Sequence, residues 1–174
     1  MWYQAERLER ELPEVLGLPG QSLSQIFAST LHHPRYVYLT RADRLRQAIS
    51  LVRAGQTGRW RSMDSSSDTA TYDAEAISGA IRFLEEDSRN WEQFFERNML
   101  HPCHVSYEDL TSNRPAAIEA LLKRLGHDLP LPVSAPQPKH ERQSDGQTEE
   151  WVQRYLLEHA ETGGEVTTSS SCAD

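Results

Sequence analysis

The chain has 174 residues, a formal net charge of −8 and an apolar fraction of 37%. This charge argues against a nucleic-acid surface, because a protein that binds the phosphate backbone needs a broad basic face. No apolar run is long enough to span a bilayer and no signal-peptide pattern is visible, so we expect a cytoplasmic protein without a membrane span. Two cysteines, Cys103 and Cys172, are too few for a disulfide framework, and we expect free thiols.

The first forty residues predict two helices and a strand. An apolar stripe from Leu8 predicts the first helix, which Pro13 should end or kink near Leu12. Residues 22–30 predict a short second helix. Residues 36–40 combine aromatic and β-branched side chains in a short run, which is typical of a strand.

The rest of the chain predicts mainly helices. Apolar residues from Leu45 to Val52 predict an amphipathic helix, and the longest helix should run from about Asp73 to Asn98. Residues 105–107 predict a second strand. A helix should follow between the cap Asn113 and the stop Gly126, and a last helix should begin at Thr148.

Three stretches have the composition of irregular structure. Residues 61–71 are rich in Ser and Asp and predict a loop, and residues 129–147 hold several prolines and predict an extended connection. Residues 162–174 are rich in Gly, Ser and Thr with little to bury, so we predict a disordered tail behind a domain of residues 1–161.

The residue on which the functional interpretation depends is Arg41. It follows the first predicted strand and precedes a helix, where a guanidinium can hold a phosphate through two parallel hydrogen bonds. Ser50 adds a hydroxyl donor if its face of the helix points to the same cleft. In the alternative, Arg41 and Arg44 are surface charges that pair with Asp43 or Asp64. Residue chemistry alone favours this alternative, because helix surfaces are usually charged.

Other candidate sites have simpler explanations. The run from His101 to His104 has the spacing of neither a helical ligand pair nor a zinc knuckle, so we expect no metal site. His32 and His33 could supply a base, but turn residues on the surface are the simpler interpretation. Trp60 either covers the edge of the core or packs on a sugar ring.

Three blocks of this sequence resemble sulfotransferases of the trehalose 2-sulfotransferase type. The first is LTRADRLRQAISLVRAGQTGRW, residues 39–60, and its matching positions are Arg41, Gln47, Ala48, Ser50, Arg53, Ala54, Gln56, Thr57, Gly58 and Trp60. VSYEDL, residues 105–110, resembles the Tyr-Glu-Asp-Leu signature that follows a late strand in the family. ERQSDGQTEEWVQRY, residues 141–155, resembles a block near the family's C-terminus.

The resemblance implies an α/β fold that is P-loop-like and helix-rich. It implies transfer of a sulfuryl group from 3′-phosphoadenosine 5′-phosphosulfate to a carbohydrate hydroxyl, without a metal and by a homodimer. In that picture Arg41 and Ser50 bind the 3′-phosphate, and Arg142 is a further contact to the nucleotide. The implied substrate contacts are Arg53, Gln56 and Trp60, and the resemblance assigns no catalytic residue.

The resemblance also implies an N-terminally truncated version of this fold. Family members place a strand, a Gly/Ser/Thr turn that binds phosphosulfate, and a helix at the start of the fold. The glycines before Tyr36 are Gly17 and Gly20, which do not form such a turn. Without these backbone donors we expect slow or absent turnover, and without the strand we expect exposed apolar surface on residues 36–40. The alternative function is a non-catalytic relative that binds nucleotide or forms dimers.

Overall fold

The computed structural model describes residues 2–60, 69–127 and 146–162. These ranges contain two strands and seven helices, which we number in chain order: α1 (Trp2–Val15), α2 (Leu23–Thr30), β1 (Val37–Thr40), α3 (Arg44–Thr57), α4 (Ala74–Arg97), β2 (Cys103–Ser106), α5 (Tyr107–Ser112), α6 (Arg114–Arg124) and α7 (Gly146–Thr162). The prediction of a helix-rich α/β protein is confirmed. No helix in the described ranges is both long and apolar enough to cross a membrane.

The two described strands form a small parallel sheet. β1 pairs with β2 so that Val37 lies opposite Cys103 and Thr40 opposite Ser106. Parallel strands need a long crossover, which the chain between β1 and β2 supplies with α3 and α4. Val37 and Leu39 are 46% and 56% exposed, so the first strand has the exposed apolar surface that the sequence predicts.

The chain divides into two compact units. The first unit comprises Met1–Ala42 and Arg82–Gln137, and the second comprises Asp43–Ile81 and Pro138–Asp174. The central core residues of the first unit are Leu23, Phe94 and Phe95, against which Trp2, Leu12, Phe27, Tyr38, Trp91 and Leu100 pack. Aromatic rings meet edge to face in this cluster, with centroids 5.1 Å apart for Trp2 and Trp91.

The core of the second unit comes from three helices. α3 buries Ala48 and Ile49, and α4 buries Ile77. α7 buries three apolar residues, namely Trp151, Val152 and Tyr155, whereas Leu156 on the same helix is 52% exposed. The Ser78 and Tyr155 hydroxyls lie 2.7 Å apart and join α4 to α7. The apolar period of each helix therefore predicts most of this core.

The end predicted for the first helix is wrong. α1 does not end at Leu12 but includes Pro13 and continues to Val15. Proline removes a single backbone donor, and the next turn still closes through a 3.0 Å hydrogen bond from the Leu16 N–H to the Leu12 carbonyl. Val15 is nevertheless 79% exposed, so the apolar stripe is not buried beyond the proline.

The second strand ends earlier than predicted, and α5 is an element that the sequence analysis missed. Ser106 is the N-cap of this helix, because its Oγ accepts a 3.0 Å hydrogen bond from the Asp109 N–H. Tyr107 therefore begins α5 instead of ending β2. The β-preference of an aromatic residue is weaker here than the capping signal in the following polar residues.

The irregular stretches lie largely outside the described residues. Of the predicted loop, only residues 69–71 are described. Of the predicted connection, only residues 146 and 147 are described, and they begin α7. The predicted tail beyond Thr162 and the proposed nucleotide contact Arg142 also lie outside the described residues. The domain boundary at residue 161 stays a prediction.

Candidate functional site

Arg41 is the first residue beyond the carboxyl end of β1. Because Thr40 lies opposite Ser106, the residues that follow the two strands emerge at the same edge of the sheet. Arg41 there meets Tyr107, with its guanidinium carbon 4.4 Å from the centroid of the tyrosine ring. This separation is in the range of a cation–π contact.

The Arg41 side chain holds a buried donor that lacks an acceptor. Its Nε is inaccessible to solvent and has no hydrogen-bond partner among the described residues. Leaving a buried donor unsatisfied costs about 1–3 kcal/mol, and more for a charged group. Within the described part of the chain Arg41 does not form the surface ion pair of the alternative interpretation.

The Tyr-Glu-Asp segment holds the backbone that carries Arg41. The N–H of Ala42 lies 3.2 Å from each carboxylate oxygen of Glu108 and donates to them. Tyr107 contacts the guanidinium and Asp109 completes the cap of α5. Each of these three consecutive residues therefore fixes a different part of one strand-to-helix junction.

Ser50 lies half-buried on α3, next to the buried Ile49. The helix begins at an Asp43 cap, whose side chain accepts a 2.9 Å hydrogen bond from the Arg46 N–H. Arg41 belongs to the first unit and Ser50 to the second. Their joint action on one phosphate stays a prediction.

The predicted substrate contacts Arg53 and Gln56 have partners within the second unit. Arg53 donates through Nη1 to the Thr148 hydroxyl and through Nη2, at 2.9 Å, to the Gln147 side chain. Gln56 pairs with the backbone of Thr71 in both directions, at 2.8 and 3.0 Å. These bonds join α3 to the start of α7 and to the segment before α4. A role toward a substrate stays a prediction for both residues.

Trp60, the third predicted substrate contact, is 60% exposed at the end of the first described range. This exposure leaves most of its indole surface accessible, so the structure does not use it as a core residue. Contact with a sugar stays a prediction.

An ion-pair network that the sequence analysis did not identify joins α3 to α7. Arg46 donates to the two carboxylate oxygens of Glu149 at 3.0 and 2.7 Å, and to Asp43 at 2.7 Å. The hydrogen bonds that Arg46 donates to Glu149, and then to Asp43, raise the pKa of Arg46. The only local signal was the i, i+3 spacing of Asp43 and Arg46, because Glu149 lies far along the chain.

The remaining candidates do not form a reactive cluster. No group of three or more His, Cys, Asp or Glu side chains in the described ranges is arranged to hold a metal ion. His32 and His33 meet edge to face, with ring centroids 4.4 Å apart, at exposed positions before β1. Cys103 is a free thiol, as predicted.

The matches to known proteins agree with the three sequence blocks. Residues 1–158 match the model of a protein family described as Stf0 sulphotransferase. A trehalose 2-sulfotransferase from Mycobacterium tuberculosis is 32% identical over 166 residues, which are 94% of this chain and 61% of that protein. One from Mycolicibacterium smegmatis is 32% identical over 158 residues, which are 89% of this chain and 58% of that protein. The chain thus spans about three fifths of the length of these relatives.

Proposed function

Because the chain belongs to the Stf0 sulphotransferase family, we propose that it functions in the transfer of a sulfuryl group to a carbohydrate hydroxyl. Two relatives are named for the sulfation of trehalose, which supports a sugar as the acceptor. The proposal includes 3′-phosphoadenosine 5′-phosphosulfate as the donor, a P-loop-like fold and a homodimer, all of which the sequence resemblance implies.

The buried Nε of Arg41 is the observation that supports this function most directly. It lies at the carboxyl end of a parallel strand, the position where α/β proteins commonly bind ligands. A guanidinium with an unsatisfied donor suits a phosphate oxygen, because arginine recognises phosphate through paired, charge-assisted hydrogen bonds. The residues present therefore fit the 3′-phosphate of the donor nucleotide.

In this proposal the side chains bind the nucleotide and the acceptor, and the arginines neutralise negative charge on the nucleotide. Arg41 holds the 3′-phosphate, and Ser50 adds a hydroxyl donor to the same group. Arg142 is the proposed third contact to the nucleotide, and Arg53, Gln56 and Trp60 are the proposed contacts to the acceptor. When bound, the donor nucleotide supplies an activated sulfuryl group that an acceptor hydroxyl can take. Fixed cations near the nucleotide favour such transfers because they stabilise charge without reorganisation.

Binding of two adenine nucleotides tests the role of Arg41. Isothermal titration calorimetry compares adenosine 3′,5′-bisphosphate with adenosine 5′-monophosphate, which lacks the 3′-phosphate. We expect the bisphosphate to bind at least about tenfold more tightly, and Arg41→Ala to remove most of this preference. Arg35→Ala, which changes an exposed arginine just before the same strand, serves as the control. Equal affinities for the two nucleotides, or an Arg41→Ala variant that binds like the wild type, would contradict the proposal.

Turnover is a separate measurement. Sulfuryl transfer to trehalose from the labelled donor reports activity, whereas the calorimetry reports binding alone. The slow turnover that the sequence analysis expects stays a prediction. Nucleotide binding without turnover would point to the non-catalytic relative, while binding with turnover would support the enzyme.

A further inference from the structure

Tyr107 makes a contact that the proposed function does not yet use. It is the first residue of α5, half-buried, and the Arg41 guanidinium carbon lies over its ring, 4.4 Å from the centroid. The Ser106 cap and the bond from the Ala42 N–H to Glu108 hold the backbone on both sides of this contact. Ring and guanidinium are therefore both attached to backbone that is fixed locally.

A ring that attracts a guanidinium orients it without accepting a conventional hydrogen bond to an oxygen or nitrogen acceptor. The cation–π attraction acts between the positive charge and the face of the ring, so the N–H groups of arginine can still donate to an anion. A free arginine side chain loses conformational entropy when it is ordered. A side chain that is already stacked loses less of this entropy when it binds an anion.

We propose that Tyr107 is a positioning residue that holds the Arg41 guanidinium ready for the phosphate, an inference that rests on the proposed function. Tyr107 itself makes no contact with the nucleotide in this proposal. It acts on affinity for the 3′-phosphate through the orientation of Arg41. The aromatic ring is the part that matters, and the hydroxyl is dispensable.

The alternative is that Tyr107 only fills space at the sheet edge. Two substitutions separate these roles. Tyr107→Phe keeps the ring, whereas Tyr107→Leu keeps much of the apolar bulk without an aromatic face. A space-filling role predicts similar behaviour of the two variants, and a positioning role predicts that they differ.

The test measures the binding of adenosine 3′,5′-bisphosphate and adenosine 5′-monophosphate to each variant. We expect Tyr107→Leu to weaken bisphosphate binding about three- to tenfold, with monophosphate binding changed less than about twofold. Tyr107→Phe should stay within about twofold of the wild type for both nucleotides. An equal loss for both nucleotides in Tyr107→Leu, or no loss for either, would overturn the proposal.

Substitution of Arg41 by lysine provides a second, independent readout. Lysine keeps the charge but lacks the planar group that the ring orients. Tyr107→Leu should therefore have less than about twofold effect on bisphosphate binding in an Arg41→Lys background, because an ammonium group has no plane for the ring to orient. A full loss in both backgrounds would show that Tyr107 acts independently of the guanidinium and would also overturn the inference.

The two proposals fail in different ways. If the wild-type chain shows no preference for the 3′-phosphate, the proposed role of Arg41 fails and the positioning role fails with it. If the preference depends on Arg41 but not on Tyr107, only the positioning role fails. Tyr107→Met is a second non-aromatic variant, and loss of the folded state in both Leu and Met variants would assign Tyr107 a structural role instead.

Discussion

Two arginines five positions apart, Arg41 and Arg46, differ in what surrounds their guanidinium groups. Arg46 is paired with Glu149 and Asp43 through three hydrogen bonds, and it joins α3 to α7. The guanidinium carbon of Arg41 lies over the Tyr107 ring, and its buried Nε has no described acceptor. An arginine that is surrounded by carboxylates, such as Arg46, therefore contributes to stability. An arginine beside an aromatic ring, such as Arg41, keeps a donor that suits an external anion.

The largest expected effect is on ligand binding at Arg41, and it should come without a loss of stability. Arg41→Ala removes the proposed donor to the 3′-phosphate but also removes a buried donor that has no acceptor among the described residues. We expect the free energy of unfolding to change by less than about 0.5 kcal/mol, measured by urea denaturation without nucleotide. A large loss of stability would mean that Arg41 is structural, like Arg46.

Arg53 should have the largest effect on stability among the arginines of α3. Arg53→Met leaves the hydroxyl of Thr148, which is 3% exposed, and the Gln147 side chain without this donor. We expect a loss of about 1–3 kcal/mol in the free energy of unfolding, measured by urea denaturation. Arg82→Met, at an exposed position on α4, is the control. If both variants have the stability of the wild type, the bonds to α7 contribute little.

The Arg46–Glu149 pair should contribute less, because both side chains are partly solvated. Their side chains are 37% and 46% exposed, so water screens much of the attraction. A double-mutant cycle with Arg46→Ala and Glu149→Ala should give a coupling energy of about 1 kcal/mol, since the contact is a two-point arginine–carboxylate pair. The coupling should fall in high salt. A coupling energy near zero would mean that the Arg46–Glu149 pair does not stabilise the protein, and Arg46 would then not differ from Arg41 in this respect.

The smallest expected effect concerns the ionisation of Tyr72, whose partner Glu158 lies near the C-terminal end of α7. Its hydroxyl donates to Glu158 at 2.7 Å, and burial followed by this bond raises the pKa of Tyr72 from 10.0 to about 12. A raised pKa means that the neutral phenol is favoured in the folded state. This contribution to stability is complete below pH 10 and declines as the pH rises toward 12.

Absorbance of the phenolate in the folded protein measures this shift. We expect one tyrosine to ionise later than the others, and Tyr72→Phe to remove that late step. The unfolding free energy of Tyr72→Phe should also change less between these pH values than that of the wild type. Identical titration curves for the two proteins would contradict the assignment.

Most secondary structure followed from local sequence patterns. The long helix α4 was predicted within a residue at either end, because its apolar period repeats over many turns. The α2 cap was also readable, since Ser22 and Gln25 form a capping box. The missed helix α5 and the continuation of α1 past Pro13 lie where two local preferences conflict. The tertiary contacts of each segment decide which preference prevails, and a few neighbouring residues in the sequence do not reveal those contacts.

Only part of the candidate site could be predicted from the sequence. The position of Arg41 at the end of a strand is a local property and was predicted. The availability of its donor is not local, because it depends on which side chains come close in the fold. Arg53 and Gln56 illustrate this, since the sequence suggested substrate contacts and the structure places them in bonds to α7 and to the backbone of Thr71.

The sequence by itself determined most of the helices, the two strands, the family and the location of Arg41 at the strand end. These properties depend on periodicity, capping and short motifs, all of which act over a few neighbouring residues. Only the tertiary structure decided that Tyr107 covers Arg41, that Glu108 holds the next peptide, and that α3 and α7 share their polar groups. Those partners are separated by 66 to 103 positions along the chain, so only the packing of the folded protein brings them together.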